Sequence, residues 1–296
     1  MEKDGEVKGD GYSYTTENRI LDVRLGKWLS IDPYTFPAES PYNAMGNNPI
    51  WYNDIYGNKY DRKGEKHVQK AEKAINSRIS DLTTEIASDK AEISRLEGVI
   101  KNSSDPSEIT SAQLSQMDLD FGLGEKQATL QNLQDGIKEI GLMRTSDQLF
   151  KIRSNFKKGQ GGDTGYGRFS KAVKISFDGE LHSLIHELKH GYQFIAGEAS
   201  FAKDGTNGSL DDLYDEQGAY IRELSFDPHS FDDPELLFNK TITADDITRT
   251  KIQNLVDPYK GDKPYADLKD INKNIFNTKP PKGDIFVPAS KVVKIK

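Results

Sequence analysis

From Val68 to Ile100, apolar residues recur in steps of three and four. Val68, Ile75, Ile79, Leu82, Ile86, Ile93, Leu96 and Ile100 hold this register, and only Glu72 and Asp89 interrupt it. That spacing is the a/d seam of a long helix lying against another helix. Asp105-Pro106 ends the run, because proline lacks the N–H a helix interior needs and clashes with the preceding turn. A second run follows, with Leu119, Leu123, Leu130, Leu133, Ile137 and Ile140 on one face. Two such helices joined by a short Ser/Asp/Pro turn predict a long antiparallel helical hairpin over residues 61–145. A polar, heptad-patterned pair serves most simply as a spacer. The functional alternative is a docking arm for a partner or a secretion-system component.

Composition agrees with a chain that is only partly core. Of 296 residues, 35 % are hydrophobic and 29 % charged, and the length fits about two domains. The net charge of -7 argues against a nucleic-acid binder, which would present a basic face. There is no cysteine, so disulfides, thiolate zinc sites and cysteine nucleophiles are excluded. Any metal must be held by His, Asp and Glu, and there are five His. No stretch reaches the roughly 18 apolar residues of a membrane span. The first residues, MEKDGEVKGDGYSYTTENR, contain no apolar core of a classical signal peptide. Export, if it occurs, is expected by another route.

Residues 1–60 are rich in Tyr, Pro, Asn and Gly. Pro33, Pro37, Pro41, Pro49, Gly46 and Gly57 punctuate short aromatic runs, which predicts a turn-rich β fragment. Residues 19–58 also carry Asp22, Gly26, Trp28, Ser30, Asp32-Pro33, Ser40-Pro41-Tyr42-Asn43 and Asn47-Asn48-Pro49. In that order they resemble the closing signature of the Rhs repeat-associated core. Leu21, Lys27 and Ile55 depart from the Tyr, Arg and Pro usual at those places. The resemblance implies a polymorphic toxin following the signature, a cognate immunity protein, and delivery into a target cell by a contact-dependent system. In some members the core cuts itself at the closing motif, here Asp54-Ile55-Tyr56-Gly57.

Residues 146–296 carry His186-Glu187-Leu188-Lys189-His190. On a helix, residues four apart share a face. His186 and His190 can therefore both aim a ring nitrogen at one Zn²⁺, at about 2.0–2.1 Å. Glu187 points beside the metal and is placed as general base. The context fits. Ala172–Phe177 reads as a strand, Asp178-Gly179 as a turn, and 180–196 as a helix with Gly197 just past its end. Leu181, Leu184, Ile185, Leu188, Tyr192 and Ile195 form its buried stripe.

A catalytic zinc needs a third protein ligand and an open fourth position. His182 and His190 are eight residues apart, about 12 Å along a helix, too far to share one ion. His182 is expected beside the site or exposed. A second helix is predicted over Asp212–Glu223. Glu216 stands on it, 26 residues after His190 and three before Ala219-Tyr220. This resembles the pattern of the Glu-zincins, and the resemblance makes Glu216 the third ligand. Asp212, Asp215, Glu223 and Glu198 remain alternatives. Asp215 or Asp212 could accept the second N–H of a metal-bound histidine. Tyr220 or Tyr214 could stabilise an oxyanion. His229 could reach the site but is expected to be exposed. The Gly-rich stretch 157–167 lacks phosphate-loop spacing and reads as a loop or connector. Ile285–Val287 and Val292-Val293 read as short strands. Substrate is expected to lie along a strand edge, with 172–177 the candidate.

These readings converge on an α+β chain. A zincin-like catalytic domain over 146–296, a small sheet plus active-site helix, follows the hairpin and the N-terminal β fragment. The expected function is a secreted or delivered toxin that uses zinc to hydrolyse a protein or peptide substrate. The rival is a non-catalytic secretion or interaction protein with a decayed metal site.

Overall fold

The computed structural model describes residues 2–4, 13–15, 20–22, 25, 27–30, 62–230, 244–256, 260–293 and 295. The Ser40–Asn43, Asn47–Pro49 and Asp54–Gly57 motifs lie outside the described residues. The protein is mixed α+β. At the N-terminus, β1 (Glu2–Asp4), β2 (Ser13–Thr15), β3 (Ile20–Asp22) and β4 (Lys27–Trp28) form an antiparallel sheet in chain order. Trp28 and Leu21 are buried on it.

The hairpin forms as the seam predicts. Helix α1 spans Arg62–Asn102 and α2 spans Pro106–Thr145. The Asp105 side chain accepts from the Ser107 N–H at 2.9 Å and Pro106 opens the helix, an N-cap with proline in the first turn. Seam residues Val68, Ile75, Leu82, Ile86 and Leu96 are buried. The two polar interruptions of the seam are used. Glu72 pairs with Arg144, which also donates to Glu65 at 3.0 Å. Asp89 pairs with Lys126 at 2.8 Å. All three acidic residues lie on α1 and reach across to α2, so the seam is locked by charge where it lacks apolar packing.

At its base the hairpin is more than a spacer. Val68, Ala71, Ile75, Leu133, Ile140 and Met143 belong to one core with Phe150, Ile152, Ile175, Ile185 and Leu188. Gly64 of α1 lies so close to the strand bearing Ile152 that an added Cβ would stand 3.3 Å from the Ile152 backbone nitrogen. One hydrophobic core therefore joins the base of the hairpin to the elements that follow it.

The second sheet has the order β5 (Leu149–Ser154), β7 (Ala172–Phe177), β6 (Gly162–Gly167). β5 runs parallel to β7 and β6 antiparallel to it. Two expectations change here. Residues 162–167 are a strand, not a loop, because the main chain of this Gly-rich stretch pairs with β7 along its whole length. And 172–177 is the central strand, so the sheet edges belong to β5 and β6.

Helix α3 (Leu181–Ile195) follows β7 and lies on the sheet. Gly197 ends it with φ of 73°, where its N–H reaches the Phe194 carbonyl at 3.2 Å. A Cβ there would also meet Ile275 at 2.7 Å, so the position needs glycine twice over. Helix α4 (Leu213–Phe226) packs on α3, opened by a capping box between Asp212 and Asp215. A short helix α5 (Arg249–Asn254) packs on α4. The expected C-terminal strands are not formed. Ile285 makes a single bridge with Phe201, and Val293 donates one bond to the Ile195 carbonyl.

Candidate metal centre

Helix α3 carries His186, Glu187 and His190 on its inner face, and α4 brings Glu216 opposite them. His190 Nε2 lies 3.2 Å from His186 Nε2. Glu216 Oε2 lies 3.7 Å from His186 Nε2 and 3.6 Å from His190 Nε2. Ligand atoms at about 2.0–2.1 Å from one tetrahedral ion stand about 3.3 Å apart. The three atoms therefore bracket a point where one cation fits. Among the described residues this is the one His/Asp/Glu group whose ligand atoms converge in this way.

Both imidazoles are held from behind. His186 Nδ1 lies 2.9 Å from Glu223 Oε2, and His190 Nδ1 lies 2.8 Å from Gln193 Oε1. Gln193 in turn donates its amide N–H to the Asp215 carbonyl at 2.8 Å, which fixes its oxygen as the acceptor toward His190. With Nδ1 donating in each ring, each Nε2 is left to face the centre. Glu223 also takes His182 Nδ1 at 2.9 Å on its other oxygen. The expected orienting residues are thus corrected. Glu223 and Gln193 take the histidine N–H groups, while Asp212 and Asp215 are occupied in the helix cap.

The charge balance is unusual. Glu187, Glu216 and Glu223 are all buried, and among the described residues no lysine or arginine pairs with them. Glu216 Oε2 is buried and has no hydrogen-bond partner among the described residues. Burial alone would raise the Glu216 pKa, but the neighbouring His190 and His186 hold it far below its ordinary value. Burial likewise disfavours charge on His186, yet Glu216 and Glu223 lift its pKa well above 6.5. Against the same burial, its bonds from His182 and His186 hold Glu223 down at about 2. Three buried carboxylates thus crowd two imidazoles, with one carboxylate oxygen unsatisfied among the described residues, an arrangement compatible with a bound cation.

Glu187 is buried, and burial raises its pKa above the ordinary 4.5, opposed by His190, His186 and Thr164. The Thr164 hydroxyl of β6 donates to Glu187 Oε2 at 2.6 Å. A Cβ on Gly162, two residues earlier, would overlap the Glu187 side chain. So the Gly-rich strand is what allows the sheet edge to pass directly over the glutamate. At Tyr166 the outward N–H of β6 is taken by the Gly205 carbonyl at 2.8 Å. Alternation along the strand points the backbone of Thr164 and Gly162 the same way, and these groups bond no other described backbone.

The tyrosines separate. The Tyr220 ring stands edge-on to His186 with centroids 4.5 Å apart. Its hydroxyl pairs with that of Tyr265 at 3.0 Å. Burial raises both hydroxyl pKa values, so both stay protonated at neutral pH. Tyr214 is away from the site, under Arg249. Tyr265 sits in irregular chain 45 residues after Tyr220, with no periodicity around it, and nothing in the sequence marks it. His182 is half-buried on Glu223 rather than a ligand, and His229 is exposed. Glu198 is not among the converging groups.

No protein-family model, curated protein or solved structure matches the chain.

Proposed function

We propose that the protein is a zinc-dependent peptidase of the zincin type, acting as a bacterial toxin or effector. The observation that carries the reading is the triangle of His186 Nε2, His190 Nε2 and Glu216 Oε2, with both rings anchored and the carboxylate oxygen otherwise unpaired. Two imidazoles and one carboxylate, with no thiolate, form a ligand set used by catalytic zinc. Zinc held there supplies Lewis acidity toward a carbonyl and acidifies water. Glu187, its pKa raised by burial, takes the proton from the attacking water and hands it to the leaving amine. Thr164 fixes the carboxylate while it does so. Tyr220 and Tyr265 are the hydroxyl donors beside the site for negative charge developing on the substrate oxygen. The outward backbone of Gly162 and Thr164, which bonds no other described backbone, offers an extended peptide a strand to pair with, next to Glu187.

The effector part of the reading rests on the Rhs-like residues 19–58. It includes delivery by a contact-dependent system into a competitor cell and restraint by an immunity protein in the producer. No described helix is long and apolar enough to cross a membrane.

The test is Glu187→Gln. The variant should keep zinc while peptide hydrolysis falls by about 10²–10⁴-fold, the usual share of a general base. Proteomics of cells expressing wild type against variant names the substrate at the same time. A variant that still cleaves and still kills would sink the peptidase reading.

A further inference from the structure

A second polar cluster lies buried beside the metal centre, on the same two helices, and the proposed chemistry does not use it. Its hub is Glu139 of α2, which is 4 % exposed. Glu139 Oε1 accepts from Lys189 Nζ at 2.7 Å, and Oε2 accepts from Arg222 Nη1 at 2.6 Å. Arg222 Nε donates to Asn132 Oδ1 of α2 at 2.6 Å. Gly136, one turn before Glu139, makes room for this. A Cβ there would stand 2.6 Å from Arg222 Nη1. The cavity these groups line with Ile75, Ile140, Ile185 and Leu188 is about 10 Å³, space for a water at most. The cluster is no ligand site.

Its value lies in what it ties together. Lys189 is the residue before His190 on α3. Arg222 is the residue before Glu223 on α4, and Glu223 orients His186. One carboxylate of the hairpin thus holds both helices that supply the metal ligands. We propose that Glu139 is a positioning residue: it sets the spacing of α3 and α4, and through it the distance between the two histidines and Glu216. The inference rests on the metal reading of that triangle. Charge-assisted bonds of this length are directional, so they fix geometry more closely than apolar packing does. Burying charges is by itself a weak source of stability, which leaves geometry as the reason for placing them here.

Two variants test it, with Co²⁺ alone as the probe. Glu139→Gln leaves two cations facing a neutral amide. The combined Glu139→Met, Lys189→Met and Arg222→Met variant removes the charges while keeping the volume, a replacement that cores of this kind tolerate. Folding is checked first by circular dichroism. In the folded chains, Co²⁺ affinity should fall by about 10-fold or more in both variants, with a changed visible absorption band, the range seen when orienting partners of metal ligands are lost. A folded variant of either kind with wild-type affinity and spectrum overturns the proposal. A wild-type chain that takes up no Co²⁺ overturns the metal reading and this proposal together. Wild-type uptake with unmoved variants overturns this proposal alone.

Discussion

Helices α3 and α4 hold two buried polar clusters that differ in one respect. In the first, Glu139 meets Lys189 and Arg222, and every charge has an opposite partner. In the second, Glu216 and Glu223 meet histidines, Glu187 takes the Thr164 hydroxyl, and one carboxylate oxygen has no hydrogen-bond partner among the described residues. The two lie in the same protein, at comparable burial, a few residues apart. The first is complete as built. The second is short of positive charge in a place where charge is expensive to leave uncompensated. That contrast, more than the presence of two histidines four residues apart, supports the proposal of a cation at the second cluster.

The contrast can be broken from either side. The largest effect is expected in the closed cluster. Glu139→Ala leaves the Lys189 and Arg222 cations without their shared carboxylate in the core and should cost about 3–5 kcal/mol in denaturant unfolding. A cost below about 1 kcal/mol would mean that the charges are solvated and the cluster is not closed. In the open cluster, Glu223→Gln should leave the fold intact but weaken zinc binding by about 10–100-fold, because His186 loses its anionic partner. Unchanged affinity would show that His186 needs no orientation.

A third effect is on pH. In the metal-free protein, Glu216 and Glu223 raise the His186 pKa above 6.5 against the pull of burial. A raised histidine pKa adds stability that is full below the unfolded value and fades as pH rises through the folded value. Zinc competes with those protons, so its hold has the opposite sign and strengthens as pH rises. The zinc-induced gain in Tm should grow from pH 6 to pH 8, with affinity changing by about 10-fold per unit for each proton displaced. A gain that shrinks over that range would place the metal on groups other than the histidines.

The parts of the molecule that follow from local pattern were legible in the sequence. The seam with its Asp105-Pro106 break, the strand at 172–177, the helix bearing His186 and His190, its end at Gly197 and the helix bearing Glu216 all obey short-range rules of period, cap and breaker. The parts set by long-range pairing were not. Residues 162–167 read as a loop because glycine carries no side-chain pattern, yet β7 and the need to pass over Glu187 make them a strand. Glu223 was one of several helix-face carboxylates until packing on α3 chose it over Asp212 and Asp215 as the partner of His186. Glu139 stands on the hairpin, where a charged residue in a polar helix carries no signal of burial. Its importance depends on Lys189 and Arg222, which are 50 and 83 residues away. Tyr265 had no local signature.

The most direct measurement of the metal centre is an equilibrium zinc titration of the purified chain beside Glu187→Gln and Glu216→Ala. The geometry predicts one tightly held zinc per chain, retained in Glu187→Gln and lost or greatly weakened in Glu216→Ala. A wild-type chain that binds no zinc, or a Glu216→Ala chain that binds it as well as wild type, would contradict it.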